Sequence, residues 1–400
     1  MLKGNRSIEL RIAQINERVA AAKAQNLYMY IQPAEKVSGS RVVIEGKEML
    51  QFSSYSYLDL LGHPKIEAAA KAAIDEFGTG THGVRNLAGT TTLHVELEKT
   101  IAEFKGTDDA MAFSSGFMCN SSTIAALVGR NDIVISDKLN HASIVDGCLL
   151  SRAKFVRVEH DNMESLEKAL AKVPENKSRL VIADAVFSMD GDILNLPEVV
   201  RLCNKYHALL MIDEAHSLGV LGETGHGIEE HFGMENVIDV KMGTLSKTIP
   251  SVGGYIAGNE ELITYLKFSA RGWIFSAALP PATVAASKAA FDVILEEPER
   301  ITQLRRNVDY FLNRLKECGF NTLNSQTPVI PVIVGDDERA WLMSRIVQDN
   351  GIFILPIMPP VVPHKMSRLR VNVMSGHTME DLDYTVNVLE KAGKEVGILK

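Results

Sequence analysis

The chain has 400 residues, of which 46% are hydrophobic and 23% are charged, and its formal net charge at pH 7 is −8. These values are typical of a large α/β protein with two or three domains, and the negative charge argues against a nucleic-acid-binding protein. No apolar run reaches the roughly 18 residues that a membrane-spanning helix needs. The four cysteines lie far apart, so we expect reduced thiols, no metal site and a cytoplasmic location.

The first three-quarters of the chain alternate between helix and strand patterns. Residues 1–50 are predicted to hold an amphipathic helix over 7–25 and the start of a hairpin over 41–52. The alternation that follows predicts a mainly parallel seven-stranded sheet with helices on both faces, in a large domain over 51–285. The predicted strands are 109–113, 132–135, 154–158, 179–184, 208–213, 239–243 and 253–257, and the predicted helices are 64–77, 92–105, 117–129, 141–151, 162–172 and 197–206.

The pattern changes after Pro280–Pro281. One long helix is predicted over 282–319, and three strands follow with two further helices. This arrangement predicts a smaller C-terminal α+β domain over 286–400. Its strands are predicted at 328–334, 351–355 and 369–373, and its later helices at 338–350 and 379–395.

A lysine follows the predicted strand 239–243, in the segment Gly243-Thr-Leu-Ser-Lys247. The hydroxyls of Thr244 and Ser246 can bind an anion, and the Lys247 amine can attack a carbonyl. A cofactor with both an aldehyde and a phosphate would use all three groups, and pyridoxal phosphate is such a cofactor. On this segment alone, a lysine in a surface loop is an equal alternative.

An acidic residue ends the preceding strand. Asp213 stands where open α/β sheets bind ligands, and a buried carboxylate there needs a partner, which a pyridinium nitrogen would supply. His216 can bind the phenolic oxygen of the same ring. The alternative is an ion pair with a core histidine. The segment Asp-Glu-Ala-His also suits a nucleotide-hydrolysing helicase, but the chain lacks the required Gly-x-x-x-x-Gly-Lys-Ser/Thr loop.

Three more strand ends carry candidate cofactor contacts. Ser115, Gly116 and Phe117 begin a predicted helix, whose free N–H groups and dipole favour a phosphate, although Ser115 can also be a simple helix cap. His141 can lie flat on a planar ring or be structural. Ser188 can contact the cofactor or belong to a turn.

Two further segments are candidates for substrate binding. The glycine-rich loop 78–90 precedes a helix and is predicted to line the active site, but no strand leads into it, so it is not a dinucleotide fingerprint. Arg368-Leu-Arg370 begins the last predicted strand. A guanidinium there can bind a carboxylate through two hydrogen bonds, and a surface ion pair is the alternative.

Taken together, these segments resemble the α-oxoamine synthases, a pyridoxal-phosphate family with the aspartate-aminotransferase fold. The resemblance extends from about Phe52 to the end of the chain. Seven motifs carry it, in family order: Ser-Ser-Gly-Phe (114–117), Asn-His-Ala-Ser (140–143), Phe-Ser-Met-Asp-Gly (187–191), Asp-Glu-Ala-His-Ser-Leu-Gly (213–219), Gly-Thr-Leu-Ser-Lys (243–247), Phe-Ser-x-x-Leu-Pro-Pro (275–281) and Arg-Leu-Arg (368–370).

The resemblance implies a role for each candidate residue. Lys247 would bind the cofactor aldehyde covalently and later move protons at the substrate α-carbon. The family also works as a homodimer with active sites at the interface, so Ser276, beside Ala277, would reach the phosphate in the neighbouring subunit. The remaining implied contacts are Asp213 with the pyridinium nitrogen, His216 with the phenolate, His141 on the ring face, Gly116 and Phe117 through backbone amides, Ser188 with the cofactor, and Thr244 with the phosphate.

The implied reaction condenses a small amino acid with an acyl thioester, on coenzyme A or a carrier protein. It releases carbon dioxide and free thiol and yields an α-aminoketone, and Arg370 would hold the amino-acid carboxylate. The chain departs from the family pattern near the substrate. Ser56-Tyr-Leu-Asp59 stands where the family has Asn-Tyr-Leu-Gly, Val84 precedes Arg85, and Pro250 replaces a glycine. These departures leave the amino acid and the acyl chain open.

Two other functions fit parts of the sequence. An aminotransferase or a lyase of the same fold would share Asp213 and Lys247, but would not release a thiol from an acyl thioester. A non-catalytic partner subunit would not need the ring-binding residues, and the presence of Lys247, Asp213 and His141 argues against it.

Overall fold

The computed structural model of the chain describes residues 6–25, 28 and 31–400. The strands in this part of the chain are β1 (Lys36–Ser38), β2 (Arg41–Ile44), β3 (Lys47–Gln51), β4 (Asp109–Phe113), β5 (Ile133–Asp137), β6 (Lys154–Val158), β7 (Arg179–Asp184), β8 (Leu209–Asp213), β9 (Val240–Ser246), β10 (Pro250–Gly258), β11 (Val329–Gly335), β12 (Ile352–Phe353), β13 (Pro356–Ile357) and β14 (Ser367–Asn372).

The helices of the described chain enclose the sheets. They are α1 (Arg6–Ala24), α2 (Pro64–Phe77), α3 (Thr92–Lys105), α4 (Gly116–Leu127), α5 (Ala142–Ser151), α6 (Met163–Ala171), α7 (Leu196–Tyr206), α8 (Ile228–His231), α9 (Glu260–Ser269), α10 (Arg271–Ile274), α11 (Pro281–Glu296), α12 (Glu299–Glu317), α13 (Asp337–Asp349) and α14 (Met379–Glu395). Within the residues described, none of these helices combines the length and apolar character needed to cross a membrane.

The largest sheet has seven strands in the order β4-β10-β9-β8-β7-β5-β6. Strands β6, β5, β7, β8 and β9 run parallel to one another, and β10 runs antiparallel to both β9 and β4. The mainly parallel sheet predicted from the sequence is therefore confirmed. Parallel strands place their carboxyl ends at one edge, where the candidate residues follow β4, β5, β7, β8 and β9.

The sheet is buried on both faces because its strands are apolar at successive positions. In β8, Leu210 and Ile212 pack into one hydrophobic cluster, whereas the intervening Met211 packs into the other. Each fully buried side chain of this size contributes about 1.5–3 kcal/mol to folding. The helices on both faces hold the edge of the sheet in a fixed geometry.

The C-terminal region forms a three-stranded antiparallel sheet in the order β11-β14-β13. The single helix predicted over 282–319 is two helices, α11 and α12, because Pro298 interrupts the backbone between them. The strand predicted over 351–355 is split as well, since β12 pairs with β3 and β13 pairs with β14. The N-terminal hairpin thus joins a sheet with a C-terminal strand. The domain boundaries at 50 and 285 stay a prediction.

One irregular segment, residues 52–57, connects the two regions at the site. Its backbone accepts hydrogen bonds from the small sheet, at 2.8 Å from Asn372 N to Phe52 O and at 2.8 Å from Ser375 N to Tyr57 O. The side chains of this segment therefore lie beside β14, although more than 300 residues separate them in sequence.

Candidate active site

The carboxyl ends of the strands enclose a cavity of about 280 Å³. Its volume is near the lower end of the range for small-molecule sites, which is about 300–1,000 Å³. The cavity brings together residues from five strand ends that are far apart in sequence. Of the residues predicted to bind the cofactor, ten line it: Ser115, Gly116, Phe117, His141, Ser188, Asp213, His216, Thr244, Ser246 and Lys247.

Lys247 follows β9 and reaches the same cavity as Asp213. The pKa of Lys247 is lowered to about 8, because burial and the positive charge of Arg370 lower it more than the negative charge of Asp213 raises it. A pKa of about 8 raises the neutral fraction of the amine at pH 7.5 from about one in a thousand to about one in four. Lys247 is therefore a nucleophilic amine at neutral pH.

Asp213 is a buried carboxylate held by two hydrogen bonds. One oxygen accepts from Ala215 N at 2.8 Å, and the other accepts from Asn120 Nδ2 at 2.7 Å. Among the described residues it forms no ion pair, although only 5% of it is exposed. A buried carboxylate of this kind needs a cationic partner. A protonated pyridine nitrogen fits that need, since each oxygen keeps a lone pair free.

His216 is buried, and its Nδ1 lies 2.7 Å from the Tyr57 hydroxyl. Burial, together with the positive charges of Lys247 and Arg370, holds the pKa of His216 well below its ordinary value. The ring is therefore a neutral imidazole at the wall of the cavity.

His141 caps α5 and also lines the cavity. Its Nδ1 lies 2.7 Å from the hydroxyl of Ser143, which fixes the orientation of the ring. Burial lowers the pKa of His141, and the charges of Lys247 and Arg370 act in the same direction, while Asp213 opposes them. A neutral flat ring in this position can cover one face of an aromatic cofactor.

Asp184, at the end of β7, lines the cavity behind His141. One of its oxygens accepts from His141 N at 3.1 Å, and the other is buried without a hydrogen-bond partner. Burial raises the pKa of Asp184 well above its ordinary value, and the negative charge of Asp213 raises it further. The charged form of Asp184 is therefore less favourable than that of an exposed carboxyl group.

The end of the cavity next to the N-terminus of α4 can bind an anion. Helix α4 begins here with free backbone N–H groups at Gly116 and Phe117, and Ser115 caps it by accepting from Met118 N at 3.1 Å. The serine is thus both the helix cap and a cavity residue. A phosphate fits this end, since its negative charge would be stabilised by the helix dipole.

The Thr244 hydroxyl donates to Gly253 O at 3.0 Å and lies 2.9 Å from the Ser246 hydroxyl. Because Thr244 gives its single proton to Gly253 O, the Ser246 hydroxyl donates to Thr244 and would have to rotate to donate to a phosphate instead. A glycine is required at 254, where a Cβ atom would lie 2.7 Å from the Cα of Gly116. The backbones at Gly254 and Gly116 therefore approach closely beside the anion-binding end of the cavity.

Five of the predicted residues do not line the cavity of the single chain: Ser56, Val84, Ser276, Ala277 and Arg370. Ser56 is buried, and its hydroxyl accepts from Leu61 N at 3.4 Å. Val84 forms a bridge with Ala277, and the Ser276 hydroxyl lies 3.2 Å from the sulfur of Met118. Their proposed contacts with substrate or with a second subunit stay predictions. No residue of the loop 78–90 lines this cavity either.

The two arginines of the Arg-Leu-Arg motif have different environments. Arg368 is buried in an ion pair with Asp190 and also donates to Met189 O at 2.9 Å. Arg370 is 5% exposed, and its single hydrogen bond goes from Nη1 to the Tyr55 hydroxyl at 3.0 Å. Its Nε and Nη2 are buried without a partner. The free donors of Arg370 fit a substrate carboxylate. For Arg368, the structure shows the ion pair that was the alternative to carboxylate binding.

Sequence reasoning missed several residues of this site: Asn120, Ser143, Tyr55 and Tyr57. Asn120 links Asp213 to the Ser143 hydroxyl with hydrogen bonds of 2.7 and 2.9 Å. The sequence did contain a signal for Asn120, because it lies one helical turn after Gly116 and therefore faces the same side of α4. Nothing in the local sequence indicates that Tyr55 contacts Arg370 or that Tyr57 contacts His216.

Comparison with known proteins decides the family. The model of the family "Aminotransferase class I and II" matches residues 47–389. An 8-amino-7-oxononanoate synthase from Thermoanaerobacter pseudethanolicus is 44% identical over 386 residues, covering 96% of this chain and 98% of that protein. The chain belongs to the α-oxoamine synthases of this family.

Two further similarities agree with this assignment. A serine palmitoyltransferase from Sphingobacterium spiritivorum is 39% identical, covering 97% of both chains. The solved structure of serine palmitoyltransferase from S. paucimobilis with a bound PLP–myriocin aldimine superposes with a TM-score of 0.95 at 32% identity, covering 97% of this chain and 99% of that one. The fold of this α-oxoamine synthase is therefore the pyridoxal-phosphate-dependent transferase fold that the sequence predicts.

Proposed function

We propose that the chain catalyses a decarboxylative condensation of a small amino acid with an acyl thioester. The carboxylate of the amino acid leaves as carbon dioxide, the acyl group is transferred to its α-carbon, and the products are an α-aminoketone and a free thiol. The chain resembles relatives named 8-amino-7-oxononanoate synthase and serine palmitoyltransferase to a similar degree. That similarity supports amino-acid acylation, while the choice of amino acid and acyl chain is left to experiment.

Pyridoxal phosphate is the cofactor of this α-oxoamine synthase. When bound, it supplies an aldehyde for an amine and a ring that takes up electrons from the substrate α-carbon. The cavity has a group for each part of this molecule: a nucleophilic amine, an unpaired carboxylate and a helix N-terminus. The single observation that carries the proposal is that Lys247 and Asp213 line one cavity.

Each of the site residues has a separate role in the proposed reaction. Lys247 would hold the cofactor aldehyde and, as a free amine, would take the proton from the substrate α-carbon, for which a pKa of about 8 is suitable. Asp213 keeps a proton on the ring nitrogen, and Asn120 holds its carboxylate in place. His216 hydrogen-bonds the phenolic oxygen, His141 covers the ring, and Arg370 holds the substrate carboxylate.

We further propose that the enzyme acts as a homodimer in the cytoplasm. Ser276 and Ala277 do not line the cavity of their own chain, which is compatible with a role in the site of a second copy. Phe275, beside them, is 72% exposed, as expected of a residue that a second subunit would cover. The four cysteines form no disulfide, in keeping with a reducing compartment.

A two-substrate assay tests the proposed reaction. The purified enzyme, loaded with pyridoxal phosphate, is incubated with glycine, L-alanine or L-serine and with acyl thioesters of increasing chain length on coenzyme A or a carrier protein. We expect release of free thiol and carbon dioxide in equal amounts, only when both substrates are present, and none with Lys247→Ala. Thiol release without amino acid, or keto-acid formation without thioester, would contradict the proposal.

A further inference from the structure

Tyr55 stands between the two cations of the site. Its ring centroid lies 4.9 Å from the Cζ of Arg370 and 5.8 Å from the Nζ of Lys247. Its hydroxyl accepts the 3.0 Å hydrogen bond from Arg370 Nη1. One aromatic side chain therefore contacts both the arginine that is free to bind a carboxylate and the reactive amine.

The position of Tyr55 is fixed by backbone contacts on both sides. Segment 52–57 is bound to the small sheet through Asn372 N to Phe52 O and Ser375 N to Tyr57 O, and Tyr57 N also donates to Tyr55 O at 2.8 Å. The neighbouring Ser56 points away, since its hydroxyl accepts from Leu61 N. Tyr55, and not Ser56, therefore contacts Arg370 and Lys247.

Arg370 has two donors left after its bond to Tyr55. Nε and Nη2 are buried and have no partner among residues 6–25, 28 and 31–400. They form one edge of the planar guanidinium, and that edge matches the two oxygens of a carboxylate. By occupying Nη1, the Tyr55 hydroxyl holds the plane of the guanidinium and leaves this edge free.

We propose that Tyr55 is a specificity-determining residue for the amino-acid substrate: its hydroxyl orients Arg370 and donates its own proton to the carboxylate that Arg370 binds. A phenol can accept one hydrogen bond and donate another at the same time. This inference rests on the proposed function in one respect, namely that the first substrate is an amino acid.

The proposal predicts selective recognition of the carboxylate rather than of the amine. Removing the hydroxyl takes away one hydrogen bond to the carboxylate and one constraint on Arg370. Amines without a carboxylate do not use either contact. The ratio between the dissociation constants of an amine and of the matching amino acid therefore isolates the contribution of Tyr55 from any general damage.

The experiment uses the holoenzyme without any thioester. Glycine, L-alanine and L-serine are titrated against methylamine, ethylamine and ethanolamine, and binding is followed by the absorbance of the bound cofactor. We expect the wild-type enzyme to prefer each amino acid and Tyr55→Phe to lower that preference about tenfold, the effect of one hydrogen bond to a charged group. Tyr384→Phe, which loses only a surface hydroxyl bonded to Asn350 O, is the matched control.

A double-mutant cycle keeps the test independent of a general structural effect. In an Arg370→Gln background, Tyr55→Phe should lower the preference less than it does in the wild type, because the guanidinium that Tyr55 orients is absent and only its direct hydrogen bond is lost. An unchanged preference in Tyr55→Phe, or equal weakening of amines and amino acids, overturns the inference. Because no thioester is present, a failure to release thiol in the two-substrate assay would reject the proposed function without affecting this result.

Discussion

The hydroxyl of Tyr57 lies 2.7 Å from Nδ1 of His216, and both side chains are buried. Burial raises the pKa of Tyr57 far above its ordinary value, so the hydroxyl keeps its proton. It has no other hydrogen-bond partner among the described residues. A buried hydroxyl is satisfied if it donates to Nδ1, and the proton of the neutral imidazole is then on Nε2. Tyr57 thus makes His216 a donor through Nε2.

Replacing Tyr57 by phenylalanine should release this constraint on His216. Nδ1 would lose its donor, the two tautomers would compete, and we expect the affinity for pyridoxal phosphate to fall about tenfold, as for one buried hydrogen bond. The measurement is a fluorescence or absorbance titration of the cofactor-free protein with pyridoxal phosphate.

Tyr255→Phe is the matched control for this change. The Tyr255 side chain is equally buried, but its hydroxyl has no hydrogen-bond partner. Removing that hydroxyl should leave cofactor affinity unchanged. If both variants lose affinity to the same extent, the Tyr57–His216 hydrogen bond does not orient the imidazole.

These tyrosines also show how far the sequence could predict the site. Lys247, Asp213 and His216 lie at or just after strand ends, and strand ends can be predicted from apolar runs, because each strand buries both faces. Tyr55 and Tyr57 lie in an irregular segment whose position depends on hydrogen bonds to residues 372 and 375. Local patterns do not encode such long-range pairing.

The boundaries of helices and strands could also be predicted only where local sequence patterns determine them. The predicted sheet strands agree with β4–β10 to within a few residues, and α2 and α3 begin and end where the periodicity places them. The break between α11 and α12 was missed, although Pro298 was visible in the sequence. The short strands β12 and β13 could not be separated in advance, because they pair with different sheets.

Two neighbouring carboxyl groups should respond differently to the same substitution. Asp213→Asn removes the charge that a protonated ring nitrogen needs, so we expect cofactor affinity to fall about tenfold to a hundredfold and activity by more than about a hundredfold. Burial raises the pKa of Asp184 and so opposes its charged form, and we therefore expect Asp184→Asn to keep cofactor affinity within about threefold. Titration with pyridoxal phosphate compares the two. Equal losses would show that Asp184 also carries a charge.

The charges around Lys247 should set the pH at which its amine becomes reactive. In the cofactor-free protein we expect labelling by an amine-specific reagent to rise with pH around a midpoint of about 8. Arg370→Gln removes a positive charge that lowers the pKa of Lys247, so the midpoint should rise. Asp213→Asn removes a negative charge that raises this pKa, so the midpoint should fall.

Peptide mass spectrometry measures the labelling at Lys247 and at an internal control in the same sample. The control is Lys394, an exposed lysine whose hydrogen bond to Glu390 raises its pKa. Its labelling should be the same in all variants. A midpoint for Lys247 that moves in the same direction in both variants would contradict the electrostatic account.

A half-buried histidine outside the cavity, His160, should make the stability of the protein depend on pH. His160 donates to both Asp137 and Asp192, and these hydrogen bonds link the end of β5 to the loop after β7. Burial opposes the charged form, but the two hydrogen bonds outweigh it and raise the pKa of His160 to about 10. Because the folded pKa lies above the unfolded value of about 6.5, the stabilisation is complete below pH 6.5 and disappears as the pH rises through 10.

Urea unfolding of the wild type and of His160→Gln tests this dependence. At pH 6 we expect the variant to be less stable by about 2 kcal/mol, the range for hydrogen bonds between charged groups. The difference should shrink at pH 10.5, where the wild-type imidazole is also neutral. In Asp192→Asn the loss from His160→Gln should be smaller, since one of its two partners is already uncharged. A difference between wild type and His160→Gln that stays constant from pH 6 to pH 10.5 would mean that His160 packs as a neutral ring.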